Sequence, residues 1–160
     1  MLYTTNLLTH PDEAKKIYAF IKQFPLDYPD YEVWLKKCLR ELELGYKKAF
    51  YTKNDRGNIV ASIIFQQHKQ EPQILEIKNI RVNPIFSRQG IGSTLEVMCL
   101  GFAKEQGFKF IQVDAHPNHP VIYFLQKRGY IIAGHEPLYS KNTEIILSKE
   151  INHGSSGNSR

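Results

Sequence analysis

One stretch, QILEIKNIRVNPIFSRQGIGSTLEVM (residues 73–98), limits what this chain can fold into more than any other. An apolar, strand-like run is stopped by Pro84, crosses a short turn, meets two glycines spaced Gly90-x-Gly92, and passes at once into a helical pattern. A strand that hands over directly to a helix belongs to a layered α and β architecture. The strand itself is unusual. Ile77, Asn79 and Arg81 alternate with Lys78, Ile80 and Val82, so neither face is cleanly polar, as expected for a long strand in the middle of a sheet.

The glycines sit where the helix begins. A helix N-terminus exposes unpaired N–H groups and the positive end of its dipole, and so attracts anions. Without a Cβ, Gly90 and Gly92 let an anion approach the backbone and let the turn use positive φ. Arg88 adds a planar fork of charged donors suited to phosphate. The spacing is too short for a nucleotide hydrolase's phosphate loop and too poor in glycine for a dinucleotide fingerprint. Two glycines that merely start a tightly packed helix are the simpler alternative.

The rest of the chain orders itself around this segment. PDEAKKIYAFIKQF (11–24) begins with Pro and two acids and carries Ile17, Phe20, Ile21 and Phe24 at helical spacing. DYEVWLKKCLRELELG (30–45) predicts a second helix, with Val33, Trp34, Cys38, Leu39 and Leu42 inward and Gly45 as its stop. YKKAFYTKN and NIVASIIFQQHK read as strands about the turn NDRGN. A helix is expected from Gly90 to about Gln106, stacking Leu95, Met98, Cys99 and Phe102. FKFIQVDAH, VIYFLQKRG, YIIAG and TEIILSK then read as strand, helix and a final strand pair. The expectation is a single domain over residues 1–151, a mixed α/β sheet with helices on both faces, followed by a disordered tail, 152–160. The stretch before residue 11 is left open between strand and coil.

Composition narrows the function classes. The chain has 160 residues, 23% charged, and a net charge of +5. No apolar run is long enough to cross a bilayer, and the N-terminus lacks the order of a secretory signal. Cys38 and Cys99 lie inside apolar helical patterns, which predicts buried free thiols and a cytoplasmic location. The basic balance suits a polyanion, either a phosphorylated cofactor or RNA. Dispersed lysines without interleaved aromatics argue against nucleic acid. His116 and His119 in DAHPNHP are three apart, but Pro117 and Pro120 prevent a regular helix and no third ligand is near, so no metal is expected.

Residues 77–130, from IKNIRV through RQGIG to NHPVIYFLQKRGY, carry a resemblance to the GNAT family of acyl-CoA N-acetyltransferases. The first 45 residues match it only as a generic helical pair. The resemblance implies a GNAT-like fold with a mostly antiparallel mixed sheet, acetyl-CoA as co-substrate, and an amine on a small molecule or peptide as acceptor. It places coenzyme A on the main chain of Ile80, Arg81 and Val82, in a cradle of Arg88, Gln89, Gly90, Ile91, Gly92 and Ser93, and beside Asn118. Glu76, 14 positions before Gly90, stands where the histone-acetylating branch has a catalytic glutamate. A homodimer through the last strands is frequent among such proteins.

Two positions depart from the family pattern. Ser87 stands where Arg or Gln is usual, and Leu125 stands where a tyrosine commonly protonates the leaving thiolate. Tyr123 is two positions away, about 200° around a helix, and is expected to point elsewhere. Tyr130 is the catalytic substitute named here, with His116 and Tyr139 as further options. The acceptor pocket is expected to draw on Phe24, Asp27, Tyr28, Tyr31, Trp34, His135, Glu136 and Tyr139. The rival readings are a coenzyme A-binding module without catalysis, an RNA-binding protein, and an enzyme acting on an RNA-borne amine.

Overall fold

The computed structural model describes residues 2–25, 30–138 and 142–152, with backbone alone for 135–138 and 142–143. Seven strands are arranged in the order β1-β2-β3-β4-β5-β7-β6. They are β1 (Tyr3–Leu7), β2 (Lys48–Asn54), β3 (Ile59–Gln67), β4 (Ile74–Val82), β5 (Phe110–Ala115), β6 (Ile131–Leu138) and β7 (Asn142–Glu150). The helices are α1 (Pro11–Lys22), α2 (Tyr31–Leu44), α3 (Ile91–Glu105) and α4 (Pro120–Lys127). The first strand, left open by the sequence, forms as β1 and pairs antiparallel with β2 from Tyr3↔Asn54 to Leu7↔Phe50. β4 is fourth of seven, the central position its mixed pattern predicted.

The chain groups into two compact units. One comprises residues 1–66 and 79–99, the other residues 67–78 and 100–160. In the first, α1 and α2 pack through Ile17, Phe20, Ile21, Leu35, Cys38 and Leu42 against Ala49, Tyr51 and Ile64. Asn54 shapes the hairpin between β2 and β3: its Oδ1 accepts from the N–H groups of Arg56 and Asn58, 3.0 Å each. Val33, expected inward, is 67% exposed, and Met98 is also open to solvent. The buried stripe of α2 runs Tyr31, Leu35, Cys38, Leu42, and Val33 lies about 200° around the helix from Tyr31.

In the second unit β4 and β5 form a parallel ladder from Ile74↔Phe110 to Ile77↔Val113. β5 and β7 are antiparallel, from Phe110↔Glu150 to Ala115↔Ile145, and β7 pairs with β6 on its other side. One face of this unit carries Leu75, Ile77, Ile111, Val113, Ala115, Ile145 and Leu147, all buried together with Leu125 and Tyr130. The other face is where its polar chemistry gathers.

Candidate active site

The loop that follows β4 is built by local hydrogen bonding. Asn83 N–H donates to the Val60 carbonyl at 2.8 Å, and Asn83 Oδ1 accepts from Ile85 N–H at 3.1 Å. These bonds shape a single 3-10 turn over Pro84–Phe86. Arg88 then adopts φ +62° and Gly90 φ +77°. A left-handed conformation is ordinary for glycine and costly for arginine, so the strain at Arg88 marks a loop whose shape is over-determined by its surroundings. Gly92 lies inside α3 and is not among the positive-φ glycines. The expectation that both glycines use positive φ therefore holds for Gly90 alone, and Gly92 contributes only its lack of a side chain.

Thr94 closes the first turn of α3. Both its N–H and its Oγ1 donate to the Gly90 carbonyl at 3.0 Å. By helix geometry the N–H groups of Gly90, Ile91, Gly92 and Ser93 have no partner within the helix. These four residues lie within the sequence-predicted cradle. Arg88 and Gln89 are exposed beside them. Sequence reasoning missed Tyr3, whose hydroxyl donates to Gln89 Oε1 at 2.6 Å across 86 positions. Its ring also meets Phe86 edge-on, 6.3 Å between centroids. No local signal could have linked β1 to this loop.

Ile80, Arg81 and Val82 are half-buried on the last part of β4. The Arg81 side chain is engaged elsewhere: Nε donates to the Phe24 carbonyl at 3.0 Å and the guanidinium reaches the Pro25 carbonyl at 3.4 Å. Its main chain is what it can offer a ligand. A cleft of about 680 Å³ in the same unit is lined by Lys16, Phe20, Arg56, Asn83 and Phe86, among others, but by none of the cradle residues.

In the second unit, Glu76 pairs in register with Gln112, and Gln112 with Ser148. Because side chains alternate, Glu76, Lys78, Gln112, Asp114, Ile146 and Ser148 share one face. His116 and Glu144 continue it just past the last register pair. Glu76 Oε2 is 3.8 Å from Lys78 Nζ, and His116 Nδ1 is 4.0 Å from Glu144 Oε2. Glu144 was also missed; its one signal is a carboxylate set into the apolar run TEIILSK. Asn118 is exposed in the turn after β5. His119 caps α4, its Nδ1 accepting from Val121 N–H at 3.0 Å. Among the described residues no group of three or more His, Cys, Asp or Glu side chains could hold a metal ion.

The tyrosine question is answered by burial. Leu125 is 1% exposed and belongs to the core, while Tyr123 is 65% exposed with Lys127 Nζ 4.5 Å above its ring. Tyr130 is 2% exposed, with Lys149 Nζ 5.5 Å from its ring centre. Of the expected acceptor-pocket aromatics, Tyr31 is buried in the α1–α2 core, with Phe24 and Trp34 packed against it. Asp27, Tyr28 and Tyr139 lie outside the described residues, as do the side chains of His135 and Glu136.

Comparison with known proteins fits this geometry. The sequence pattern of the acetyltransferase (GNAT) family matches residues 15–130. The chain belongs to that family. Searching curated proteins gives no match. Among solved structures, it resembles the ribosomal-protein-S18-alanine N-acetyltransferase from Escherichia coli at 17% identity, covering 99% of this chain and 100% of that one, with a TM-score of 0.74. Ard1 from Thermoplasma volcanium is similar at 17% identity over 96% of this chain and 100% of that one, TM-score 0.75. A protein assigned as a streptothricin acetyltransferase from Bacillus anthracis, solved in complex with acetyl coenzyme A, is 18% identical over 67% of this chain and 64% of that one, TM-score 0.60. These likenesses establish a shared fold.

Proposed function

We propose that this protein is an acetyl-CoA-dependent N-acetyltransferase that moves an acetyl group to a primary amine by direct attack in a ternary complex. The observation that carries this reading is the start of α3, where the N–H groups of left-handed Gly90 and of the three residues after it have no partner within the helix and lie beside Arg88. That arrangement suits the pyrophosphate of coenzyme A. The pantetheine arm is assigned to the main chain of Ile80, Arg81 and Val82, on the part of β4 that runs on past its last pair with β5, and to Asn118.

The chemistry asks for proton transfer more than for covalent work. An amine arrives as an ammonium ion and must lose one proton before it can attack the thioester carbonyl. Attack forms the C–N bond; collapse breaks the C–S bond; the nitrogen sheds a second proton and the thiolate leaves or is protonated. Glu76 is the base assigned to the attacking nitrogen, with Lys78 Nζ 3.8 Å from its carboxylate. Tyr130 is the assigned donor to the thiolate. A thiolate is also a good enough leaving group to depart without one, since a free thiol titrates near 8.5.

Calorimetric titration with acetyl-CoA, coenzyme A and ATP tests the cradle, and thiol release with a library of amines tests the transfer. Selective binding of both coenzyme A species with amine-dependent thiol release is expected. Selective binding without turnover would favour a coenzyme A-binding module, the reading that Ser87 and Leu125 keep open. Binding of none removes the proposal. Glu76→Gln is expected to lower turnover at neutral pH by about 10²-fold while leaving coenzyme A affinity unchanged.

A further inference from the structure

The cleft of the first unit is not used by the acetyl-transfer reading. We propose that it is a second ligand site, which takes a small organic anion with an apolar body and whose occupancy is felt by the coenzyme A cradle. The site stands on its own residues; the coupling rests on the reading given above.

The cleft has a volume of about 680 Å³ and lies between α1, the β2–β3 hairpin and the turn after β4. Small-molecule pockets run from about 300 to 1,000 Å³. Phe20, Val60 and Phe86 supply apolar wall; the first two are buried and Phe86 is half-buried. The charge on the lining has one sign. Among the described residues it carries Lys16 and Arg56 and no carboxylate. The Arg56 guanidinium has no hydrogen bond or ion pair among those residues. Lys16 Nζ is 3.7 Å from Glu13 Oε2, but the same carboxylate also holds Lys53 Nζ, 3.4 Å from its Oε1. Two lysines sharing one carboxylate leave a positive charge over. Asp55, next to Arg56 in the hairpin, is exposed and is not part of the lining.

The asparagines of the lining add donors. Asn54 Oδ1 already accepts from the N–H groups of Arg56 and Asn58, 3.0 Å each, so both its lone pairs are in use. Asn83 Oδ1 accepts from Ile85 N–H at 3.1 Å. What each side chain has left for a ligand is chiefly its Nδ2, which only donates. Two cations and two amide donors beside an aromatic wall suit a carboxylate or phosphate that carries an apolar group. An ammonium acceptor would meet like charge here, which separates the cleft from the acceptor site.

The cleft and the cradle share a loop. Asn83 N–H donates to the Val60 carbonyl at 2.8 Å, and both residues line the cleft. Phe86 meets the Tyr3 ring edge-on, 6.3 Å between centroids, and the Tyr3 hydroxyl donates to Gln89 Oε1 at 2.6 Å. Arg88, two residues past Phe86, holds a φ of +62°, a strained conformation that persists only while its surroundings enforce it. A ligand packed on Phe86 and bonded to Asn83 changes those surroundings. The two sites are then linked, and the linkage is reciprocal.

Phenylacetate and phenyl phosphate are the anionic probes, with phenylacetamide as the neutral control. Each is titrated into isotope-labelled protein while the side-chain amides of Asn54 and Asn83 are followed by NMR. Saturable shifts with at least one anion, and none with phenylacetamide, are expected; the anion that binds tells a carboxylate site from a phosphate site. Lys16→Gln combined with Arg56→Gln, both at exposed positions, is expected to weaken that anion about tenfold or more and to leave the thermal midpoint unchanged. No saturable shift from either anion, equal shifts from the neutral control, or full affinity in the double variant overturns the site. Shifts confined to Gly90–Ser93 would put the anion in the cradle and overturn it too. Calorimetric titration of coenzyme A with the cleft filled tests the coupling. A change in affinity of about fivefold or more is expected, and it is expected to vanish in the double variant. Unchanged affinity overturns the coupling and leaves the site. A protein that binds the anion but no coenzyme A overturns the acetyl-CoA reading, and the coupling with it, while the site stands.

Discussion

Gly90 shows how much one residue contributes to the candidate site. Its φ of +77° is a conformation that L side chains rarely adopt, yet an ideal Cβ built on it meets no atom within 4 Å. Gly90→Ala therefore costs about 1 kcal/mol through backbone strain alone. Gly90→Asp adds a carboxylate at the helix start and is expected to abolish coenzyme A binding in a calorimetric titration while the fold survives. Unchanged affinity in that variant would move the cofactor elsewhere. Both cysteines are equally specific in what they imply. Burial, opposed by the Lys47 charge and reinforced by Glu41, pushes the Cys38 thiol up to about 12. Burial and the Glu96 charge push Cys99 up as well. Neither is a thiolate at pH 7, so a thiol reagent is expected to label neither until the protein unfolds.

At the scale of elements, α4 explains why the family's usual tyrosine is missing without leaving a gap. Leu125 fills its place and is buried, held there by the turn in which Tyr130 N–H donates to the Leu125 carbonyl at 3.0 Å. Restoring the family residue as Leu125→Tyr would overpack this core. A loss of about 1–3 kcal/mol in denaturant unfolding is expected, with no gain in turnover. A gain would mean that the pocket around α4 is looser than its burial implies. The helical stripes follow the same geometric rule. Leu95 and Cys99 fall on the buried side of α3, while Met98, next to Cys99 in sequence, faces out. Leu95, Met98 and Cys99 are three and four positions apart, so the 3.6-residue period put all of them on one stripe, and only the packing around α3 separated them.

For the whole molecule, ligand linkage gives the broadest test. A ligand that binds only the folded state at 100 times its Kd stabilises by about 2.7 kcal/mol. Coenzyme A is expected to raise the thermal midpoint accordingly, and ATP to leave it unchanged. Equal shifts from both would mean that the loop recognises phosphate in general. No helix among the described residues is long and apolar enough to cross a membrane. From His153 on, the predicted tail falls outside the described residues.

The sequence by itself determined the order of elements from α1 onward, the central place of β4, the helix start at Gly90 and the family resemblance. Those features are local: a period, a turn residue or a glycine decides them within a few positions. Only the tertiary structure decided that Tyr3 reaches Gln89 and that Leu125 is core. It also decided that Arg81 spends its side chain on the carbonyls after α1, and that a buried Glu144 faces His116. Each of those depends on strand register or on packing between segments tens of residues apart. Register is set by the sum of many side-chain contacts, and no short window of sequence contains that sum.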